Sequence, residues 1–333
     1  LFQSQSDSAI VYSNIGVCCY SRKSTDGKVA KLYARKELVE ISPVKVRITN
    51  NKIQLIKMTG KVDLHMHTTH SDGFYSPDEI LRKAKDKNLE AISITDHDSI
   101  NGIEEAAVIG KGLGIEVIPG VEISSDLNGK EVHILGYFID IYNEEFKRYL
   151  NFFRVERIKR AERIVKSLNN LGMGITIEDI FNIANNSAVG RPHIARAMVH
   201  KGLVSNYHEA FNKYIGNGCP AYEKKVHISP QSAFKIITDA GGLSFIAHPG
   251  FMQEDILKDL IEAGVDGIEV FHPSHSPAKV KFYKGIVSEY YLLESGGSDY
   301  HGGPRNDDDN FGRFYTSLAV LEAMKKRLVK SPV

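Results

Sequence analysis

Tryptophan is absent from this 333-residue chain, and cysteine occurs only at Cys18, Cys19 and Cys219. The adjacent pair lacks the spacing of a zinc knuckle and the third lies far away, so reduced thiols are predicted rather than a thiolate metal site. No run reaches the roughly 18 apolar residues needed to span a bilayer, which removes a membrane helix and a membrane partner from consideration. Charge of one sign is also lacking. The 42 Lys and Arg residues against 41 Asp and Glu leave a net charge of +1, so composition gives no argument for wrapping nucleic acid, while a local site for a small anion stays open. The chain opens on Leu1 without an apolar stretch and small-residue cleavage site, which predicts a trimmed end rather than a signal peptide, and a cytoplasmic location. There is no G-x-S-x-G elbow for a covalent serine route, and no P-loop. Nothing in the sequence sets an oligomeric state.

What remains is the composition of an ordinary globular enzyme, 42% hydrophobic and 25% charged, with 13 histidines. The length fits two units, or one barrel with additions. Residues 1–60 are predicted to form an N-terminal β-rich appendage: a polar start over 1–11, then the strand-like runs VAKLYA, VKVRI and KIQLI. From Lys61 the rhythm changes to short apolar runs alternating with helical text: VDLHM, AISIT, IEVIP, VEIS, VHILGYF, LSFIAH, DGIEVFH and YYLLES. Helices are predicted over Pro77–Lys87, where Ser76 can cap and Pro77 can take the first position, and near Ile103–Gly112, Glu254–Ala263 and Ala278–Ser288. This alternation predicts a parallel sheet closed or nearly closed into an α/β barrel over 61–142 and 230–333. Residues 143–229 interrupt it with helical periodicity, first over EEFKRYLNFFRVERIKRAERIVKSLNNLG and again after Pro192, and are predicted to be a helical insertion or cap.

The polar residues fall at strand ends. VDLHMHTTHSDG supplies His65, His67 and Asp72, and AISITDHD supplies Asp96, His97 and Asp98. Glu122, His133, His248, His272, His275, Asp299 and His301 follow in the later segments. Side chains two apart on a strand share a face, so His65 and His67 can reach one centre, as can Asp299 and His301 if extended. Mixed imidazoles and carboxylates favour Mn²⁺, Fe²⁺ or Zn²⁺, with Mg²⁺ a further candidate. His65, His67, Asp72, His97, Glu122, His133, His248, Asp299 and His301 are too many ligands for one ion. Two or three neighbouring divalent ions bridged by a carboxylate such as Glu122 use them better, and such a centre activates water for phosphoester hydrolysis. Asp96 and Asp98 are read as supports for His97 or nearby backbone. His70, His200, His208 and His227 have no comparable setting.

These motifs resemble the polymerase-and-histidinol-phosphatase (PHP) superfamily of metallohydrolases. The resemblance rests on DLHMHTTHSDG at 63–73, TDHD at 95–98, PGVEIS at 119–124, EVHILGY at 131–137, AHPG at 247–250 and GSDYH at 297–301. The long insertion and the RPH triplet at 191–193 narrow it to small bacterial phosphoesterases, including nucleoside 3′,5′-bisphosphate phosphatases and an RNA 5′-end exonuclease. The resemblance implies a distorted seven-stranded (β/α)7 barrel and a trinuclear site. His65, His67, Glu122 and Asp299 would surround one ion, Asp72, His97 and His301 a second, and Glu122, His133 and His248 a third. It also implies that Arg191 and His193 approach substrate from the insertion, Arg191 as a bidentate phosphate contact. His275 is a further candidate for contacting phosphate or protonating the leaving oxygen. The stretch PRNDDDNFGR at 304–313 departs from the family pattern. Asp307–Asp309 would either repel a polyanion or form a solvated turn.

The expected enzyme is a metal-dependent phosphoesterase, a phosphatase or phosphodiesterase. Its leading substrate is a small phosphorylated nucleotide, most simply a nucleoside 3′,5′-bisphosphate cleaved as a phosphomonoester. A 5′-3′ exoribonuclease acting on short RNA, a sugar or histidinol-type phosphatase, and a non-catalytic metal- or nucleic-acid-binding module are the alternatives. The basic residues of the insertion, Lys147, Arg148, Arg154, Arg157, Lys159, Arg160, Arg163 and Lys166, read either as an RNA track or as a solvated face interleaved with Glu144, Glu145, Glu156 and Glu162.

Overall fold

The computed structural model describes residues 10–12, 18–20, 44–49, 52–57 and 59–330, apart from 186 and 251. The chain divides into two compact units, Leu1–Thr59 and Gly60–Val333. In the first, β1 (Ile10–Tyr12) pairs antiparallel with β2 (Cys18–Tyr20), and β3 (Val44–Thr49) with β4 (Lys52–Lys57). The predicted strand VAKLYA lies outside the described residues.

The second unit runs β5 (Lys61–Met66), α1 (Pro77–Asp86), β6 (Leu89–Ile94), α2 (Ile103–Leu113), β7 (Glu116–Leu127) and β8 (Lys130–Tyr137). Then come the helices α3 (Glu144–Asn170), α4 (Ile177–Ala184), α5 (Arg191–His200), α6 (Tyr207–Ala210) with a π turn over Phe211–Ile215, and α7 (Pro230–Asp239). The alternation resumes with β9 (Leu243–Ile246), α8 (Glu254–Glu262), β10 (Gly267–Phe271), α9 (Pro277–Glu289) and β11 (Leu293–Gly296). It closes with β12 (Thr316–Ser317) and α10 (Leu318–Lys330).

The strands form one eight-stranded sheet in the order β11-β10-β9-β8-β7-β6-β5-β12. The two ends of the sheet nearly meet. Beyond β11, the Ser298 amide donates to Asp63 on β5 at 3.0 Å. A Cβ on Gly297 would stand 2.4 Å from the His65 amide nitrogen, so only glycine allows this approach.

This corrects the expected seven-stranded (β/α)7 barrel in two respects. The eighth strand is Thr316–Ser317, antiparallel to Val62 and Lys61. Two polar residues carry no hydrophobic period, so the run was invisible in sequence. The alternation is also broken: IEVIP and VEIS are one continuous strand, β7, which pairs antiparallel with β8 around a turn at Asn128–Gly129, and β8 pairs antiparallel with β9. The sheet is mixed rather than parallel.

Local chemistry explains the elements that frame the site. Ser76 accepts from the Glu79 amide while the Glu79 carboxylate accepts from the Ser76 amide, a capping box that starts α1 with Pro77 at its first position; such a cap contributes about 1 kcal/mol. On β5, Val62, Leu64 and Met66 pack outward into apolar clusters, while Asp63 and His65, with His67 just past the strand, face the other way and are equally buried. The 144–215 helices have a core of their own, including Ile164, Leu168, Ile180, Ile194, Met198 and Ile215. Among the described residues, no helix is long and apolar enough to cross a membrane.

Candidate metal centre

The strand ends bring the polar residues together. His65 enters from β5 and His67 from just past its end, Glu122 from the middle of β7 and His133 from β8; His97, Asp299 and His301 come from turns just past β6 and β11. The 68–73 turn that carries Asp72 is pinned by Asp96, which accepts from the Thr68 amide at 2.7 Å, its hydroxyl at 2.6 Å and the Ser71 hydroxyl at 2.5 Å. A Cβ on Gly73 would stand 2.5 Å from the His67 carbonyl, so this turn needs its glycine. His248 (φ 29°) and Asp299 (φ 48°) sit in the left-handed region, a backbone cost that surrounding structure must hold and that gathers at functional sites.

Three groups of ligand atoms result: His67, Asp72, His97 and His301; His65, His67, Glu122 and Asp299; and His97, Glu122 and His133. The buried Glu122 carboxylate links them. Its Oε2 lies 3.3, 3.2 and 3.2 Å from nitrogens of His65, His67 and His97, and its Oε1 lies 2.8 and 3.0 Å from those of His133 and His248. Asp299 Oδ1 lies 3.4 and 3.2 Å from Nε2 of His65 and His67. Asp72 Oδ1 lies 3.3 Å from His301 Nε2. Two donors each about 2.1 Å from one ion, at octahedral or tetrahedral angles, stand about 3.0–3.4 Å apart, which is the spacing found here.

The ring nitrogens support the same fit. Nε2 of His67, Nδ1 of His97, Nδ1 of His133 and Nε2 of His301 are buried without a hydrogen-bond partner, although carboxylate oxygens stand close to each. Orphaned nitrogens of this kind are costly unless a shared third partner satisfies them. Two rings are anchored from behind: His301 Nδ1 lies 2.8 Å from the Asp299 carbonyl oxygen, and His65 Nδ1 lies 2.9 Å from Glu269 Oε1. Because those oxygens accept, the neutral rings of His65 and His301 carry their protons on the anchored nitrogens and present lone pairs inward.

Electrostatics express the same crowding. Burial opposes charge on His67 and His133, yet Asp299 and Glu122 raise the first to about 9, and Glu122 with Glu131 raises the second to about 10. Burial keeps His97 well below the ordinary imidazole range. Burial works against the Glu122 carboxylate, but His97, His133 and His65 hold it well below its usual value. This donor set has the capacity for several divalent ions.

Comparisons with known proteins agree. A family model for the PHP domain matches residues 63–214. A 5′-3′ exoribonuclease of Haemophilus influenzae is 34% identical over 250 residues, covering 73% of this chain and 91% of its own length. The chain belongs to the PHP-domain family. It is a metal-dependent phosphoesterase. A 3′,5′-nucleoside bisphosphate phosphatase of Chromobacterium violaceum is 32% identical over 72% of this chain and 87% of its own. The solved structure of a Bifidobacterium adolescentis protein, described as a metal-dependent phosphoesterase by inference, matches with a TM-score of 0.75 at 28% identity, covering 80% of this chain and 96% of that one.

Around this PHP centre, eight of the nine residues read as ligands fall within the three groups. His248 lies outside them and reaches the centre through Glu122 Oε1. His193 is buried near the Ser71–Asp72 turn; its Nδ1 accepts from the Gly190 amide at 3.0 Å, and its Nε2 is 3.2 Å from Ser187 Oγ. Arg191 bonds Asn217 Oδ1 at 2.9 Å, within the helical segment. His275 donates through Nδ1 to the Val270 carbonyl at 2.9 Å, and its buried Nε2 has no partner. Asp98 holds nearby backbone, accepting from the Ser124 amide at 3.1 Å, and also accepts from Arg157 on α3, with Lys225 3.5 Å away.

Four residues went unassigned in the sequence. Glu269, in mid-strand within DGIEVFH, orients His65 and accepts from the His248 amide at 2.7 Å. His272, singled out in the sequence as a strand-end residue but given no role, reaches Asp299 Oδ2 at 3.4 Å. His227 meets Glu131, which in turn meets His133. Arg305 donates to Asp72.

Proposed function

We propose that this centre holds two or three divalent ions and hydrolyses the phosphodiester that joins the 5′-terminal nucleotide of a short RNA to the next, releasing nucleotides one at a time in the 5′-3′ direction. The observation that carries a hydrolytic multi-ion reading is Glu122, a single buried carboxylate in contact with five imidazoles. Bound there, such ions would supply acidified water and neutralise charge on phosphoryl oxygens. Support for RNA over a free bisphosphate comes from the exoribonuclease relative, which the chain matches over 91% of its length. A cleft of about 190 Å³ beside Asp98, bordered by Asn101, Lys147, Asn151 and Arg154, offers space and positive charge for the rest of a nucleotide.

In this reading His65, His67, Asp72, His97, Glu122, His133, His248, Asp299 and His301 hold the ions. Glu269 keeps the His65 proton on Nδ1. The 143–229 segment serves as the cap, with Arg191 able to turn from Asn217 to a phosphate, since the carboxamide is a weaker partner for a guanidinium than a phosphate dianion. His275, with its proton fixed on Nδ1, offers a lone pair at Nε2. It suits accepting a proton from a substrate hydroxyl or water better than protonating a leaving oxygen.

A nucleoside 3′,5′-bisphosphate phosphatase is the second reading, favoured by the Chromobacterium relative. The two separate on products. Protein reconstituted with Mn²⁺, Fe²⁺ or Zn²⁺ is given a 5′-phosphorylated tetraribonucleotide, adenosine 3′,5′-bisphosphate and histidinol phosphate. Stepwise release of mononucleotides from the 5′ end is expected. Inorganic phosphate from the bisphosphate alone establishes the second reading. Turnover that persists in His65→Ala, or after chelation, removes both.

A further inference from the structure

The acidic run that departs from the family pattern turns its carboxylates onto its own loop. Asp307 accepts from the His301 and Gly302 amides at 2.8 Å each, one per oxygen. Asp308 accepts the Tyr300 hydroxyl and lies 3.6 Å from Lys83 Nζ. These contacts pin the loop, and its arginine faces the metal centre. Arg305 Nη2 donates to Asp72 Oδ2 at 2.7 Å, while Asp72 Oδ1 faces His301 Nε2. The carboxylate is thus divided between the ligand group and the guanidinium.

The other amino group of Arg305 has different surroundings. Nη1 lies 3.2 Å from His301 Nδ1, but that nitrogen donates its proton to the Asp299 carbonyl and has no lone pair to offer. A charged N–H is therefore left beside the His67–Asp72–His97–His301 group, on a side chain 35% exposed to solvent. The Tyr207 hydroxyl, from the helical segment, accepts a further hydrogen bond from the same guanidinium.

We propose that Arg305 determines phosphate recognition: Nη1 binds an anionic phosphate oxygen of the substrate at the Asp72 edge of the centre. This rests on the phosphoesterase reading of the centre. The planar fork suits phosphate, and Nη2, already held by Asp72, sets the side chain before substrate arrives, so little rotamer freedom is lost on binding.

The test uses metal-loaded full-length protein, with Arg305→Ala and Arg305→Lys beside wild type. Calorimetric titration with inorganic phosphate and with AMP reads the contact, plasma emission reads metal per chain, and KM and kcat are measured on a 5′-phosphorylated oligoribonucleotide. Arg305→Ala is expected to weaken phosphate and AMP about ten- to a hundredfold, the worth of one charge-assisted hydrogen bond. Metal content should be unchanged, with the loss in KM more than in kcat and partial recovery in Arg305→Lys. Unchanged phosphate affinity overturns the proposal, and so does a loss that tracks loss of metal, which would make Arg305 only a brace for Asp72. Wild-type protein that binds metal and phosphate but hydrolyses nothing would instead refute the proposed reaction, with the arginine contact still measurable.

Discussion

Glu269 Oε1 lies 2.9 Å from His65 Nδ1, and this contact turns the other nitrogen of the ring toward Glu122 and Asp299. Both side chains are fully buried, so bulk solvent does not screen this contact. Glu269→Ala should lower metal affinity about ten- to a hundredfold, the usual cost of losing a partner behind a ligating imidazole. Competition with a chromophoric chelator measures it. Unchanged affinity would mean that packing alone holds the ring.

Glu122 belongs to two of the three ligand groups and touches His248 as well. Glu122→Gln keeps the volume and removes the charge. It should lower the number of ions bound per chain by more than one and reduce hydrolysis at least about a hundredfold, beyond the effect of an outer partner. Elemental analysis beside initial rates checks both. Loss of a single ion would show that the groups fill independently.

Arg157 on α3 forms a buried ion pair with Asp98, just past β6. Burial resists the charge on Asp98, but Arg157 and Lys225 hold its carboxyl well below the ordinary range. Arg157→Met leaves that charge with Lys225 alone and should cost about 3–5 kcal/mol in urea unfolding. The Arg157→Met/Asp98→Asn double variant should recover part of the loss; if it does not, the pair is not the cause.

His193 is buried, and desolvation lowers it to about 4. The folded state therefore favours the neutral ring. Its contribution is complete above the unfolded value near 6.5 and is lost as pH falls through that value toward 4, up to about 3 kcal/mol. Wild-type stability should fall more steeply than that of His193→Gln between pH 7 and 4, read from urea midpoints in metal-free protein. Parallel slopes would place the acid sensitivity elsewhere.

The basic face of α3 shows where sequence left a real choice. Lys147, Arg148 and Lys159 pair with Glu144, Glu145 and Glu156 one turn away, as a solvated helix does, whereas Arg157 and Arg160 are buried and hold Asp98 and the Glu223 carbonyl. Charge counting cannot separate the two, because burial depends on which stripe of the helix meets the barrel. The final strand shows the opposite limit. Thr316–Ser317 is ordered by its pairing with β5 and not by any pattern of its own.

Local order settled the rest. The two-residue period of His65 and His67, the capping signal at Ser76, and the placing of His, Asp and Glu at strand ends are written in neighbouring residues, since they follow from backbone geometry within a few positions. The packing of Glu269 behind His65, the division of Asp72 between His301 and Arg305, and the mixed eight-stranded sheet depend on residues far apart along the chain. Such contacts arise only when the barrel nearly closes, because the pairing partner of a buried polar group is chosen by proximity in space, and the chain's own order carries no record of it.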